Sequence, residues 1–127
     1  MVEVFAFACR VAWAPQWGET IYNAASAGKA KLEHWRAVDD AWPGTKFTDV
    51  RARKIGAPHT SEAFRRNAQY RGMPDIKCGD RVLVGDRVGV VVGHNSSANF
   101  DVLFDSGWRL NVHPSEIARC PQAESKR

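Results

Sequence analysis

Apolar positions come first as an unbroken run, then as a helical stripe, then as short alternating stretches between glycines, and each change of pattern predicts a different element. Val4 to Cys9 is apolar without interruption, as a strand covered on both faces requires, and this strand is expected to span Val2 to Val11. Pro15, Gln16, Trp17 and Gly18 break the run, and Glu19 to Ala24 can return beside it, making a hairpin with a long loop. Ser26 offers a hydroxyl to the open amides of a helix start. From there Ala27, Ala30, Trp35, Val38, Ala41 and Trp42 share one helical face, while Lys29, Glu33, Arg36 and Asp40 share the other. His34 falls on the apolar face, where a packed, hydrogen-bonded imidazole is expected rather than a base. Pro43-Gly44 ends the helix. Phe47 to Ile55 then alternates as a third strand, with Thr48, Val50 and Ala52 on one side and Asp49, Arg51 and Arg53 on the other.

Beyond Pro58, Thr60 or Ser61 can cap a short helix that runs to about Arg71 and stops at Gly72. Ala63, Phe64, Asn67 and Ala68 are expected to pack inward, leaving Arg65, Arg66 and Gln69 in solvent, so this connector reads as packed. From Gly79 the strands are short: Arg81 to Val84, Val88 to Gly93, Phe100 to Phe104, Trp108 to Val112 and, after the turn Pro114-Ser115-Glu116, Ile117 to Cys120. Strands this short and evenly spaced close best as a barrel or small sandwich. The expected fold class is therefore α+β: a small β-β-α-β unit over residues 1–57, a helical connector over 58–75, a five-stranded β-barrel over 76–121 and a disordered tail over 122–127.

Composition narrows the class further. With 44% hydrophobic residues in 127, the chain can bury a core, which excludes an intrinsically disordered protein. Its net charge of +4 permits attraction to nucleic acid or an acidic protein, but the excess is spread along the chain, so any basic patch must be made by folding. Cys9, Cys78 and Cys120 are an odd number without CxxC spacing, which argues against a disulfide framework and a zinc ribbon and fits reduced thiols in a cytoplasm. Ala12-Trp13-Ala14 has the look of a signal cleavage site, but Glu3 and Arg10 interrupt the pattern. No apolar stretch approaches the roughly 20 residues that cross a bilayer, so no membrane partner is expected and Asn95-Ser96-Ser97 loses meaning as a glycosylation site.

Two resemblances bear on this reading. The run GDRVLVGDRVGVVVG, followed by FDVLFDSGWRLNVHPSEI, resembles SH3-like barrels of the KOW and Tudor type, with their GDxV opening, GxVxG second strand and short helical turn before the last strand. The resemblance covers about the last 45 residues and implies the barrel but no single role, because such barrels serve ribosomal, transcriptional, chromatin and scaffold functions. The aromatic cage of that family would have only Trp108 and Phe100 to draw on. The stretches AASAGKAK and KFTDVRARKIG are similar to small accessory proteins of bacteriophages, over about 40 residues. That likeness implies a viral accessory or host-takeover protein, acting in the host cytoplasm, with inhibition of a defence complex as one form.

The chemistry-bearing residues favour binding over catalysis. Arg51, Arg53 and Lys54 on the third strand, with Arg65, Arg66 and Arg71 on the connector helix, can form one basic face that grips phosphates or an acidic protein surface; the bland alternative is a solvated strand and helix. Trp13 and Trp17 can stack on bases or anchor in a protein pocket, and core packing explains them equally. A second surface is the loop His94 to Asn99, including Asn95, with Asp105 to Trp108. His94, His113, Cys78 and Cys120 lack paired ligand spacing for a metal. Cys9 in an apolar strand is expected to be inert, Cys78 before a turn can be exposed, and Asp39 and Asp40 point apart. The expectation is a non-catalytic protein without cofactor, metal or small-molecule ligand, binding stoichiometrically to nucleic acid or a nucleic-acid-handling complex. A structural or assembly protein and an undetected hydrolase are the alternatives.

Overall fold

In a computed structural model that describes residues 2–120, the chain is mixed α+β, with two helices and two antiparallel sheets of three and five strands. Its contacts divide it into two units, Glu3–His59 and a second made of Thr60 onward together with Val2. The tail expected at 122–127 lies outside the described residues.

In the N-terminal unit the apolar run becomes the central strand, β1 (Phe5–Val11), flanked by β2 (Thr20–Ala24) and β3 (Val50–Gly56). Strand alternation sends Phe7 and Cys9 to one side, where they meet Ala24, Val50 and Ala30 of helix α1 (Ala27–Ala41), with Phe5, Tyr22, Trp35 and Ala52 around them. Ala6 and Ala8 turn to the opposite face and are buried as well. The chain after β3 is clasped to β2 by one side chain: Asn23 Nδ2 donates to His59 O at 2.8 Å, and His59 N donates to Asn23 Oδ1 at 2.7 Å. Ser26 caps α1 as expected, its Oγ accepting from Lys29 N at 3.2 Å.

Two expectations shift. The buried stripe of α1 is Ala30 and His34, with Trp35 and Val38 half-buried, whereas Ala27, Ala41 and Trp42 are exposed. Trp42 leaves the stripe because it is the C-cap residue, at φ −139° and ψ 77°, outside the helical period. The third strand starts three residues late, since Asp49 Oδ2 accepts from Lys46 N at 3.2 Å and folds Phe47–Asp49 into a 3-10 turn.

In the C-terminal unit, α2 (Glu62–Tyr70) opens at Ser61, whose Oγ accepts from Phe64 N at 3.0 Å. Phe64 and Ala68, one turn apart, enter a core with Ile76, Cys78, Val82, Val91, Phe100, Val102, Phe104 and Val112. Ala63 is exposed rather than inward, because only that i, i+4 pair of the short helix reaches the core and Asn67 at its side is half-buried. Cys78, read as free to be exposed, is buried instead and its amide donates to Thr60 Oγ1 at 3.1 Å. Strands β4 (Arg81–Val84), β5 (Arg87–His94), β6 (Phe100–Phe104), β7 (Arg109–Val112) and β8 (Ile117–Arg119) form one sheet in the order β7-β6-β5-β4-β8. The last strand returns beside the first, but β7 and β8 remain the two edges, so the sheet is not a barrel closed by hydrogen bonds. Both edge strands are short, and the 3-10 turn Pro114–Glu116 separates them.

Candidate functional site

The face of the N-terminal sheet that points away from α1 collects arginine. Pairing of β1 with β3 sets Arg10 opposite Arg51 and Arg53 opposite Ala8, all on that face. Arg53 reaches across to Glu19 with a two-pronged bond, Nε to Oε2 at 3.1 Å and Nη2 to Oε1 at 2.9 Å. That hydrogen bond, with the charges of Arg53 and Arg10, holds the Glu19 carboxyl below the usual carboxylate range and raises the guanidinium of Arg53. Arg51 Nη1 folds back onto Thr48 O at 2.6 Å, a neutral acceptor that fixes its position. Neither Arg10 nor Arg51 has an ion-pair partner among the described residues. Like charges directly opposite one another oppose strand pairing, so this pair is tolerated at some cost to the sheet. Arg10 was not singled out from sequence; its signal was the polar position that ends the Ala6, Ala8 alternation. Lys54 belongs to the other face, opposite Phe7, with its Nζ 3.6 Å from the centre of the Phe5 ring.

At the end of the same sheet, three indoles form a row. Pro15–Trp17 is a 3-10 turn closed by Gly18 at φ 73°, a conformation that favours glycine, and it presents Trp17 between Trp13 and Trp42. Trp13 and Trp17 meet edge to face at 5.1 Å, and Trp17 and Trp42 at 5.8 Å. They remain 47%, 44% and 58% exposed, so the row is a surface and not part of the core. Trp13 Nε1 donates to Asp49 Oδ2 at 3.2 Å, which anchors the row beside the start of β3. Trp42, read from sequence as core, is the member that helical periodicity assigned to the wrong side.

Behind Trp17 and Trp42 lies an open groove of about 460 Å³ between α1 and β2, floored by Tyr22, His34 and Val38. Tyr22 Oη and His34 Nδ1 share a hydrogen bond of 2.9 Å, as the sequence reading of His34 anticipated. Burial pushes the Tyr22 phenol up to about 12 and lowers the His34 imidazole, so the pair is neutral and polar without being charged. Burial likewise pushes the Cys9 thiol up to about 11, the inert state expected of it.

In the C-terminal unit the remaining sequence candidates take separate roles. Arg65 and Arg66 lie on the exposed side of α2, along a cleft of about 420 Å³ with Gln69, Asp75 and Lys77; Arg66 Nη1 pairs with Glu62 Oε1 at 3.1 Å. Arg71 braces the loop between β5 and β6, donating to Ser97 O at 2.9 Å, Ala98 O at 3.3 Å and Asn99 Oδ1 at 3.2 Å. Asn95 organises the same loop, its Oδ1 accepting from Ser97 N and Asn99 N and its Nδ2 donating to Asn111 Oδ1. His94 stacks on Phe64 at 5.6 Å and meets Asn67 Nδ2 through its Nδ1 at 3.3 Å, and burial lowers its pKa. Trp108 is 66% exposed ahead of β7. The six basic candidates thus divide between the units, Arg51, Arg53 and Lys54 in one and Arg65, Arg66 and Arg71 in the other.

Among the described residues, no group of three or more His, Cys, Asp and Glu side chains could hold a metal ion, and no helix is long and apolar enough to cross a membrane. Compared with known proteins, the chain has no significant match to a family model, a curated protein or a solved structure.

Proposed function

We propose that this is a non-catalytic nucleic-acid-binding protein that grips phosphates with the arginine face of its N-terminal unit. The observation that carries the reading is the Arg10–Arg51 cross-strand pair, two cations held side by side with neither in an ion pair among the described residues, since Glu19 bonds to Arg53 and acts on Arg10 only through its charge. A phosphodiester relieves that repulsion and accepts from both guanidinium forks. In the C-terminal unit we read an SH3-like barrel of the KOW and Tudor kind, supported by the return of β8 beside β4 and by the 3-10 turn ahead of it. With the similarity of the helix opening to phage accessory proteins, the role we favour is a phage-type accessory protein acting stoichiometrically on nucleic acid in the host cytoplasm.

Fluorescence anisotropy of labelled DNA and RNA against the purified protein, at low and moderate salt, tests the reading. Binding that weakens steeply as salt rises supports phosphate contacts. Absence of binding to every probe at low salt overturns it and favours the structural alternative. For that alternative the edge strand β7, with Leu110 exposed on it and Trp108 exposed just ahead of it, is the contact surface to examine.

A further inference from the structure

We infer that the Trp13–Trp17–Trp42 row is a base-stacking platform, so that the ligand of the N-terminal unit is single-stranded nucleic acid. This rests on the nucleic-acid reading above and adds which form is bound and by which side chains. The Arg10–Arg51 pair and the indole row share one end of the sheet, with Trp13 beside the start of β3 and Trp17 and Trp42 toward the α1 side. Trp13 follows Arg10 by three residues, and its indole is bonded to Asp49, two residues before Arg51. The Asp49 carboxylate at this junction already accepts from Trp13 Nε1 and Lys46 N, so it is committed to holding the loop. A strand whose phosphates lie over Arg10 and Arg51 can therefore turn its bases toward the indoles.

The geometry separates this ligand from two others. Duplex DNA keeps its base faces stacked inside the helix and offers nothing for exposed indoles to cover. An apolar peptide would use the indoles but gain nothing from two arginines beside them that have no ion pair among the described residues. Exposed aromatic rings next to a positive track are what single strands require, because every base has a face to stack and every nucleotide a phosphate to neutralise.

The test uses the full chain with three fluorescein-labelled probes: a 15-nucleotide oligothymidylate, an abasic oligomer with the same number of phosphates, and a duplex of equal length. The oligothymidylate is expected to bind at least about tenfold more tightly than the abasic oligomer and to quench tryptophan emission. Trp17→Ala is expected to bring the oligothymidylate down to the abasic level while leaving abasic binding unchanged. Trp42→Ala, at the most exposed of the three positions, repeats the test should Trp17→Ala fail to fold. Equal binding of the thymidylate and abasic probes, tighter binding of the duplex, or quenching that survives both substitutions overturns the stacking platform and leaves phosphate binding standing. Binding of none of the probes overturns the nucleic-acid reading itself, in which case the row is a protein contact.

Discussion

Gly89 has no side chain because β6 leaves no room for one. A Cβ at this position would collide with Val102 Cγ1 and lie 3.1 Å from both Leu103 O and Phe104 Cδ1, all parts of the neighbouring strand and its core residues. Gly89→Ala is therefore expected to cost about 1–3 kcal/mol through overpacking, seen in urea unfolding as a lower midpoint with an unchanged slope. From sequence, this glycine belonged to a GxVxG pattern, and the pattern marked the strand without giving the reason. Two histidines make a second prediction at this scale. Burial lowers the pKa of His34 and of His94, so below about 6.5 the unfolded chain binds protons that the folded chain refuses. Stability from these groups is present above that value and is lost as the pH falls through their folded values. Thermal melts should show a lower Tm at pH 5.5 than at 7.5, and His94→Gln should reduce the difference. A flat profile between those pH values would contradict the assignment of both rings as neutral packed groups.

Helices and strands were largely legible in the sequence because their signals are local. Ser26 and Ser61 sit at helix starts whose amides they satisfy three residues on, and the short strands of the C-terminal sheet are bounded by their own turn residues. What lay beyond reach was any role whose partner is distant along the chain. Arg71 read as one more surface cation of a basic helix, yet its fork serves carbonyls 26 and 27 residues away. It braces a loop in which Ala98 holds a positive φ of 61°, a backbone state that alanine adopts only under constraint. Arg71→Ala is expected to lower stability by about 1–2 kcal/mol and to speed hydrogen exchange at the Ser97 and Asn99 amides. Arg71→Lys should restore little of this, since a single ammonium cannot span three acceptors arranged for a planar fork. An exchange pattern unchanged in Arg71→Ala would show that Asn95 alone holds the loop.

At the scale of the whole molecule, the basic set that looked continuous in sequence is divided between two units, and the charge that matters is set by pairing rather than by count. Arg53 and Arg66 are each ion-paired and Arg71 is bound to a loop, while Arg10 and Arg51 stand opposite one another with neither in an ion pair among the described residues. No reading of residues 50–71 alone reaches that pair, because Arg10 arrives from β1 and only strand register brings it to Arg51. The consequence is a salt experiment with a stated slope. Each phosphate neutralised on a single strand contributes about −0.7 to the slope of log affinity against log salt. Replacing both Arg10 and Arg51 by Gln should therefore flatten the slope by about 1.4 as well as weaken binding at low salt. Arg66→Gln, which only removes an exposed pair with Glu62 in the other unit, should leave the slope unchanged and cost little stability, because such pairs contribute at most about 1 kcal/mol. Gln is polar and uncharged, and the salt slope counts charges and not hydrogen bonds, so a change in slope reports the lost charge. If Arg66→Gln flattens the slope instead and the double substitution does not, the phosphate-binding surface is on α2 and the N-terminal arginines serve only the sheet.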